Sequence, residues 1–386
     1  MHNGRIVVAR LWPEYDGGVP SRTPIILRLH ERKYETICIY LAKNSTDRNV
    51  FAENNLKVFY IRQKPPLKIF APITLLRLVK ILRQNKVDIL HCHKHKATVY
   101  GALAARLAGV PVTISHVHGM GRSRNRRRRF INRIIFRWTN AILAVSKSVR
   151  QDILAKNPAL NADKVITLGN SIEPARFGKP ALTGSEAKAR LNLPADCFAF
   201  GTIGRLVPTK GQIHLVRAFA SVRHTLPAAH LIIVGQGQLR RTLEDQARDL
   251  DCFEFVHFYG HRNDIVEVLR AMDVFVLPSI AEGLPRSLME AMASGVLCLG
   301  SDIPGISEIL DKGRCGLLVE PQNDEAFSKA MLKAAAMAEQ EKTAMIENAK
   351  RRIRQQYCHE VIIKRLDRIY TEQFEKSSCR HRKKSY

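Results

Sequence analysis

The sequence predicts an α/β protein built from two doubly wound, Rossmann-like domains. Short apolar runs recur down the chain, each stopped by proline, glycine or polar turn residues, as buried parallel strands are. Segments with helical spacing separate them, and this alternation is the pattern of a parallel sheet covered on both faces. At 386 residues the chain also exceeds one hydrophobic core, and residues 179–195 interrupt the pattern with prolines and polar side chains. The expected division is therefore a first domain over 1–178, a linker over 179–195, a second domain over 196–357 and a final helix over 358–386.

Composition narrows the class. The chain carries 62 Lys and Arg against 35 Asp and Glu, a net charge of +27, which calls for an acidic partner: nucleic acid, an anionic membrane or a phosphorylated substrate. No uninterrupted apolar run of about 18 residues occurs, so no membrane span is expected. The first residues lack the long apolar segment of a secretory signal. Eight cysteines show no C-x2-C spacing, which argues against a zinc knuckle or redox motif and suits reduced thiols in the cytoplasm.

In the first half, residues 5–10 form a strand and 11–23 a loop with Gly17-Gly18, where the missing Cβ lets a ligand approach the backbone. A helix begins at 24–30 with Pro24 in its first turn. Strands at 36–41, 57–61, 88–91, 112–115, 141–145 and 165–168 follow, with a basic amphipathic helix at 73–84 and an alanine-rich one at 97–107. The first loop has no G-x-G-x-x-G followed by an acid about 20 residues on, so nicotinamide binding is not expected. His91, His93, His95 and His116, His118 alternate so that imidazoles could share a face. A zinc site would need a complete ligand set and a supporting shell, which the sequence does not supply, so no metal is expected. Arg126, Arg127, Arg128 and Arg129 open a helix with Phe130, Ile131, Ile134, Ile135 and Trp138 along one side. The apolar side is expected to pack on the sheet, and the arginines to lie on anionic lipid or grip an acceptor phosphate. Nucleic acid also suits the charge, but no aromatic platform or known motif accompanies it.

In the second half a strand at 199–203 delivers Arg205 and, five residues later, Lys210 in a glycine-bounded loop. The two cations can converge on a diphosphate and stabilise its departure without a metal. A strand at 231–234 ends at Gly235-Gln-Gly237, and another spans 256–260. Residues 273–278 then read as a strand, 279–285 as a turn, 286–293 as a helix stopped at Ser294-Gly295, 296–299 as a strand and 300–305 as a loop. A last strand at 316–319 precedes a helix over 325–337. Glu282 lies in the turn and Glu290 in the helix. Loops at the carboxyl ends of parallel strands are where open α/β sheets bind ligands. An acid there repels phosphate, so both carboxylates are expected to hold hydroxyls.

This E-x7-E spacing, set in EGLPRSLMEAMASG over residues 282–295, resembles the retaining glycosyltransferases of family four. The resemblance covers the whole chain and is stronger in the second half. It implies the GT-B arrangement, two such domains facing across a cleft, with the last helix crossing back onto the first domain. It implies that Glu282, Gly283 and Leu284, with the 301–305 loop, surround the donor sugar and phosphate, that Glu290 binds the ribose, and that Arg205 and Lys210 clamp the diphosphate. Gly235 would sit beside the nucleotide, residues 260–262 beside the base, and Gly17 and Gly18 beside donor phosphate and acceptor. A histidine after the fifth strand would hydrogen-bond the transferred sugar: His118, next to Gly119, is the match and His116 the alternative. The activity implied is retaining, metal-independent hexosyl transfer from a nucleoside-diphosphate sugar, expected to be UDP-linked, to a glycan or glycolipid. With the charge, it points to an anionic acceptor such as phosphorylated lipopolysaccharide core, at the cytoplasmic face of the inner membrane. A nucleotide-sugar epimerase of the same architecture and a basic nucleic-acid- or lipid-binding protein stay open as alternatives.

Overall fold

The computed structural model describes residues 4–15, 23–43, 48–62, 71–121, 123, 125–178 and 182–382, so Gly17 and Gly18 lie outside the described residues. The chain divides into one unit of residues 1–170 and 359–386, and a second of residues 171–358.

The first unit is built on a seven-stranded parallel sheet: β1 (Ile6–Glu14), β2 (Tyr34–Ala42), β3 (Lys57–Tyr60), β4 (Ile89–His93), β5 (Val112–Val117), β6 (Ala141–Ala144) and β7 (Val165–Thr167). Their order is β3-β2-β1-β4-β5-β6-β7, so the winding reverses between β1 and β4. The strands are apolar because both faces are covered. On one face Leu78 and Leu82 of helix Pro72–Gln84 and Tyr100 and Ala104 of helix Lys94–Ala108 pack with Ala9, Leu11 and Leu90. On the other, Ile362, Ile363, Leu366 and Tyr370 of helix His359–Arg382 pack with Val8, Ile89, Ile114 and Leu143.

The second unit repeats the plan with six parallel strands: β8 (Phe198–Ile203), β9 (Ala229–Val234), β10 (Val256–Gly260), β11 (Val274–Leu277), β12 (Leu297–Ser301) and β13 (Leu317–Val319). The order β10-β9-β8-β11-β12-β13 puts its reversal between β8 and β11.

Three sequence expectations need revision. Residues 171–178 belong to the second unit rather than the first, tied there by the bond from Ile172 N–H to the Tyr357 carbonyl. The 179–195 linker is folded over most of its length. Helix Gly184–Arg190 is capped reciprocally by Thr183 and Glu186, and Lys188 donates to Asp273 at 2.8 Å. Finally, the apolar stripe of helix Arg126–Trp138 is not all core. Its buried face is Asn132, Ile135 and Phe136, while Phe130 is 66% and Ile134 36% exposed. The Asn132 amide donates to Ser123 Oγ at 2.8 Å, which is why a polar residue can point inward.

Candidate functional site

In the second unit, β8 and β11 are neighbours across the reversal, and the loops that follow them meet. Ile280 N–H donates to the Thr209 carbonyl at 2.9 Å. Gly211, at φ +67°, sits so close that a Cβ there would lie 2.1 Å from the Pro278 carbonyl oxygen. The helix after β12, Pro304–Ile309, joins them, since a Cβ on Gly305 would lie 2.7 Å from the carbonyl oxygens of both Glu282 and Gly283.

This clasp brings Lys210 Nζ to 2.5 Å from Glu282 Oε1, with side chains only 17% and 11% exposed. Ser279 Oγ donates to the same carboxylate oxygen at 2.9 Å. Lys210 folds back over Gly204, its Nζ 4.0 Å from where a Cβ on that glycine would stand. The next residue, Arg205, is exposed and, among the described residues, makes no ion pair; its carbonyl accepts from Gln212 Nε2 at 3.0 Å. Leu284 is buried and Gly283 half-buried beside it.

Glu290 lies one helical turn after Arg286 on helix Arg286–Ser294, where i and i+4 share a face, and Arg286 Nη2 donates to its carboxylate at 3.0 Å. Burial pushes the Glu290 carboxyl above its ordinary range, against the pull of Arg286 and Arg176. Gly235, at φ +144°, and Gly237 are points of close backbone approach. A Cβ on Gly235 would lie 1.8 Å from the Gly204 oxygen, and one on Gly237 2.2 Å from the Leu206 oxygen. Both brace the segment that carries Arg205. At the end of β10, Arg262 is held by Asp264.

In the first unit the two histidine candidates separate. His116 lies inside β5, 7% exposed, whereas His118 is the first residue past the strand and is exposed. His118 Nε2 is 3.2 Å from His93 Nδ1. Nitrogens of His91, His93 and His116 lie within 4.8 Å of one another, a set that could hold a cation. However, Arg10 Nη2 sits 3.2 Å from His93 Nε2. With His118 on its other nitrogen, His93 has both ring nitrogens engaged. A cation on His93 would have to displace either the Arg10 guanidinium or His118.

Burial first, then Arg10 and neighbouring imidazoles, holds His91 and His93 well below the ordinary histidine range. The unfolded chain binds protons at these two rings below about pH 6.5 and the native chain does not, so stability falls as pH drops through that value. The slope reaches about 1.4 kcal/mol per pH unit for each ring. Urea unfolding between pH 7 and 5 should show His91→Gln losing one ring's share of that slope; an unchanged slope would contradict the buried, neutral state.

The arginine run is split by helix geometry. Arg126 and Arg129, with Arg133, Arg137, Lys156 and Lys164, line a groove of about 890 Å³ with no acidic side chain among the described residues of its wall. Arg127 is exposed and Arg128 half-buried, and neither lines the groove. Four arginines in a first helical turn oppose the helix dipole, an arrangement that an arriving anion relieves.

Sequence reasoning missed Arg10, Ser279 and Arg286. Arg286 carried a signal, its i+4 spacing to Glu290, and so did Arg10, a lone charge ending an apolar run.

Residues 185–352 match the family Glycosyl transferases group 1, and residues 25–176 match Glycosyltransferase Family 4. The chain is 29% identical over 308 residues, 77% of each protein, to an Escherichia coli UDP-Gal:alpha-D-GlcNAc-diphosphoundecaprenol alpha-1,3-galactosyltransferase. It is 30% identical over 280 residues, 70% of this chain and 71% of the relative, to EpsF of Bacillus subtilis (strain 168), whose name places it among glycosyltransferases. Among solved structures it is similar to Anabaena HepE in complex with UDP and glucose, with a TM-score of 0.83, 19% identity, and coverage of 95% of this chain and 100% of that one. At that identity the likeness shows the fold.

Proposed function

This chain belongs to the family 4, group 1 glycosyltransferases of GT-B fold, and from that premise we propose that it transfers a hexosyl group, with retention, from a UDP-sugar to a lipid-carried glycan. The observation that carries this reading is the Lys210–Glu282 pair beside Arg205 at the reversal point of the second sheet.

Without donor, Lys210 and Glu282 neutralise each other. A nucleoside-diphosphate sugar offers phosphate oxygens to the cation and hydroxyls to the carboxylate, replacing one internal pair with two external ones. As the glycosidic bond breaks, negative charge grows on the diphosphate, and Arg205 and Lys210 are the cations read as stabilising it. Two side-chain cations fill the role a metal would otherwise take, which supports metal-independent transfer. Glu282 is engaged by Lys210 and Ser279, so it is read as a holder of the sugar rather than a nucleophile. The leaving phosphate oxygen accepts the acceptor's proton on the same face, which gives retention. Glu290 holds the ribose and His118 the transferred sugar.

The acceptor reading rests on the Escherichia coli relative, whose name specifies a diphosphoundecaprenol-linked sugar, and on the basic groove of the first unit. No helix among the described residues is long and apolar enough to cross a membrane. Exposed Phe130 and Ile134 among arginines, with Ile73 and Leu76 67% and 64% exposed on basic helix Pro72–Gln84, suit peripheral binding to an anionic bilayer. Each basic residue near such a surface contributes roughly 1 kcal/mol. Arg129→Ala with Arg133→Ala should therefore weaken co-sedimentation with phosphatidylglycerol vesicles about 30-fold. Unchanged sedimentation would remove this surface from the account.

The functional test is transfer from a panel of UDP-sugars to diphospholipid-linked glycans, with chelator present and the product's anomeric configuration read by NMR. An α-linked product from an α-linked donor is expected. No product across the panel, or inversion, would overturn the proposal.

A further inference from the structure

The second unit has a pocket of about 420 Å³ at the C-terminal end of helix Pro304–Ile309. Asp311 and Arg314 enter it from the turn after that helix, and Asn348, Arg351, Arg352 and Gln355 from helix Glu339–Gln356. The loops that carry Lys210 and Glu282 do not line it. Gly305, at the other end of the short helix, is what touches Glu282 and Gly283, so the helix length, about 9 Å, separates the pocket from them.

One of the three guanidinium groups has a structural role. Arg352 Nη2 donates to the Glu308 carbonyl at 2.7 Å, near the end of the helix, and its Nη1 lies 3.2 Å from Asp311 Oδ1. Its Nε, shielded from solvent, has no hydrogen-bond partner among the described residues. The other two guanidinium groups are not neutralised in this way. Arg314 Nη1 stands 3.9 Å from Asp311 Oδ2, beyond hydrogen-bonding reach, with its side chain 81% exposed. Arg351 Nη2 donates to the uncharged Asn348 amide at 3.0 Å. Asp311 is the one carboxylate in the described lining; Glu347 lies nearby on the same helix but is paired with Lys350 at 2.9 Å and is not part of the wall. Three guanidinium groups thus share one carboxylate. The turn that presents Asp311 and Arg314 is itself strained, because Asp311 and Lys312, at φ +52° and +54°, are consecutive non-glycine residues in the left-handed region.

We propose that this pocket is a second anion site, separate from the Lys210 and Glu282 loops, which binds the phosphoryl group of a small soluble phosphate ester. Guanidinium forks match phosphate oxygens two at a time, and no lysine is among the described residues of the wall. Arg314 and Arg351 supply the forks, and Arg352, held by Glu308 and Asp311, is a fixed positive charge beside them. The Asn348 and Gln355 amides suit the hydroxyls of the ester. The volume is in the range of small-molecule sites.

The test is calorimetric titration of the full chain, saturated with UDP, with glycerol 3-phosphate, and with glycerol as the control. Glycerol 3-phosphate should bind saturably and glycerol should not. Arg314→Ala and Arg351→Ala should each weaken binding on the order of tenfold, the loss of one charged hydrogen-bonding partner. Both side chains are exposed, so thermal unfolding midpoints should stay near wild type. Asp311→Asn should bind severalfold more tightly, since asparagine tolerates the left-handed backbone and removes the only negative charge of the lining. Co-sedimentation with phosphatidylglycerol vesicles should be unaffected by Arg351→Ala. No saturable binding to the wild type overturns the proposal, as do wild-type affinities in both arginine variants or no gain in Asp311→Asn. A loss of vesicle binding in Arg351→Ala with glycerol 3-phosphate binding intact also overturns it, assigning the arginines to a bilayer. The three variants locate the site whether or not UDP binds, so a failure of the donor reading is separable.

Discussion

Glu282→Gln should lower sugar transfer by about 10²–10³-fold, the loss typical of removing one well-placed charged group from a reaction centre. Affinity for UDP should be unchanged or higher. Glutamine keeps a partner for Ser279 Oγ and for Lys210 but removes the negative charge that neutralises Lys210. The lysine then meets the diphosphate without first leaving a carboxylate. Structural damage would weaken both properties together, so the opposed directions are the signature of the role assigned here. Steady-state rates with parallel UDP titrations measure it, and full activity in the variant would remove Glu282 from the site.

Gly235→Ala should be as severe by another route. The position has φ +144°, which L side chains rarely adopt, and its Cβ would fall 1.8 Å from the Gly204 carbonyl oxygen. Backbone strain of this kind costs about 1–3 kcal/mol. The overlap must also displace the segment that carries Arg205, and a shift of about 1 Å at a reacting centre can cost on the order of 10²-fold in rate. Here kcat and donor affinity should fall together, unlike in Glu282→Gln. Gly184→Ala is the control: φ there is ordinary, the nearest contact to an added Cβ is 3.7 Å, and activity should be retained. Unaltered donor binding in Gly235→Ala would show that the β9 loop does not brace Arg205.

Alternation of apolar runs with helices made both parallel sheets legible in the sequence, and the spacing of Glu282 to Glu290 singled out one end of the second. What was not legible depends on contacts between distant segments. Nothing in the sequence says that the winding reverses between β8 and β11, so nothing says that Lys210 and Glu282, 72 residues apart, share a hydrogen bond. Arg10 and His93 are 83 residues apart and meet because β1 and β4 pair. The linker was misread because polar composition does not reveal that Lys188 reaches Asp273. The helix after Asn125 was misread for a different reason. Phe130 and Ile134 lie on the same side as Ile131 and Ile135 by spacing alone, and only packing decides that Asn132, Ile135 and Phe136 face the core instead.

Calorimetric titration of UDP against the wild-type chain and Lys210→Ala tests the central claim most directly. A hydrogen bond to a charged group contributes roughly 1.5–3 kcal/mol, so the variant should bind UDP about 10–100-fold more weakly. Equal affinities, or a wild-type chain that does not bind UDP, would contradict the assignment of this loop to the donor's diphosphate.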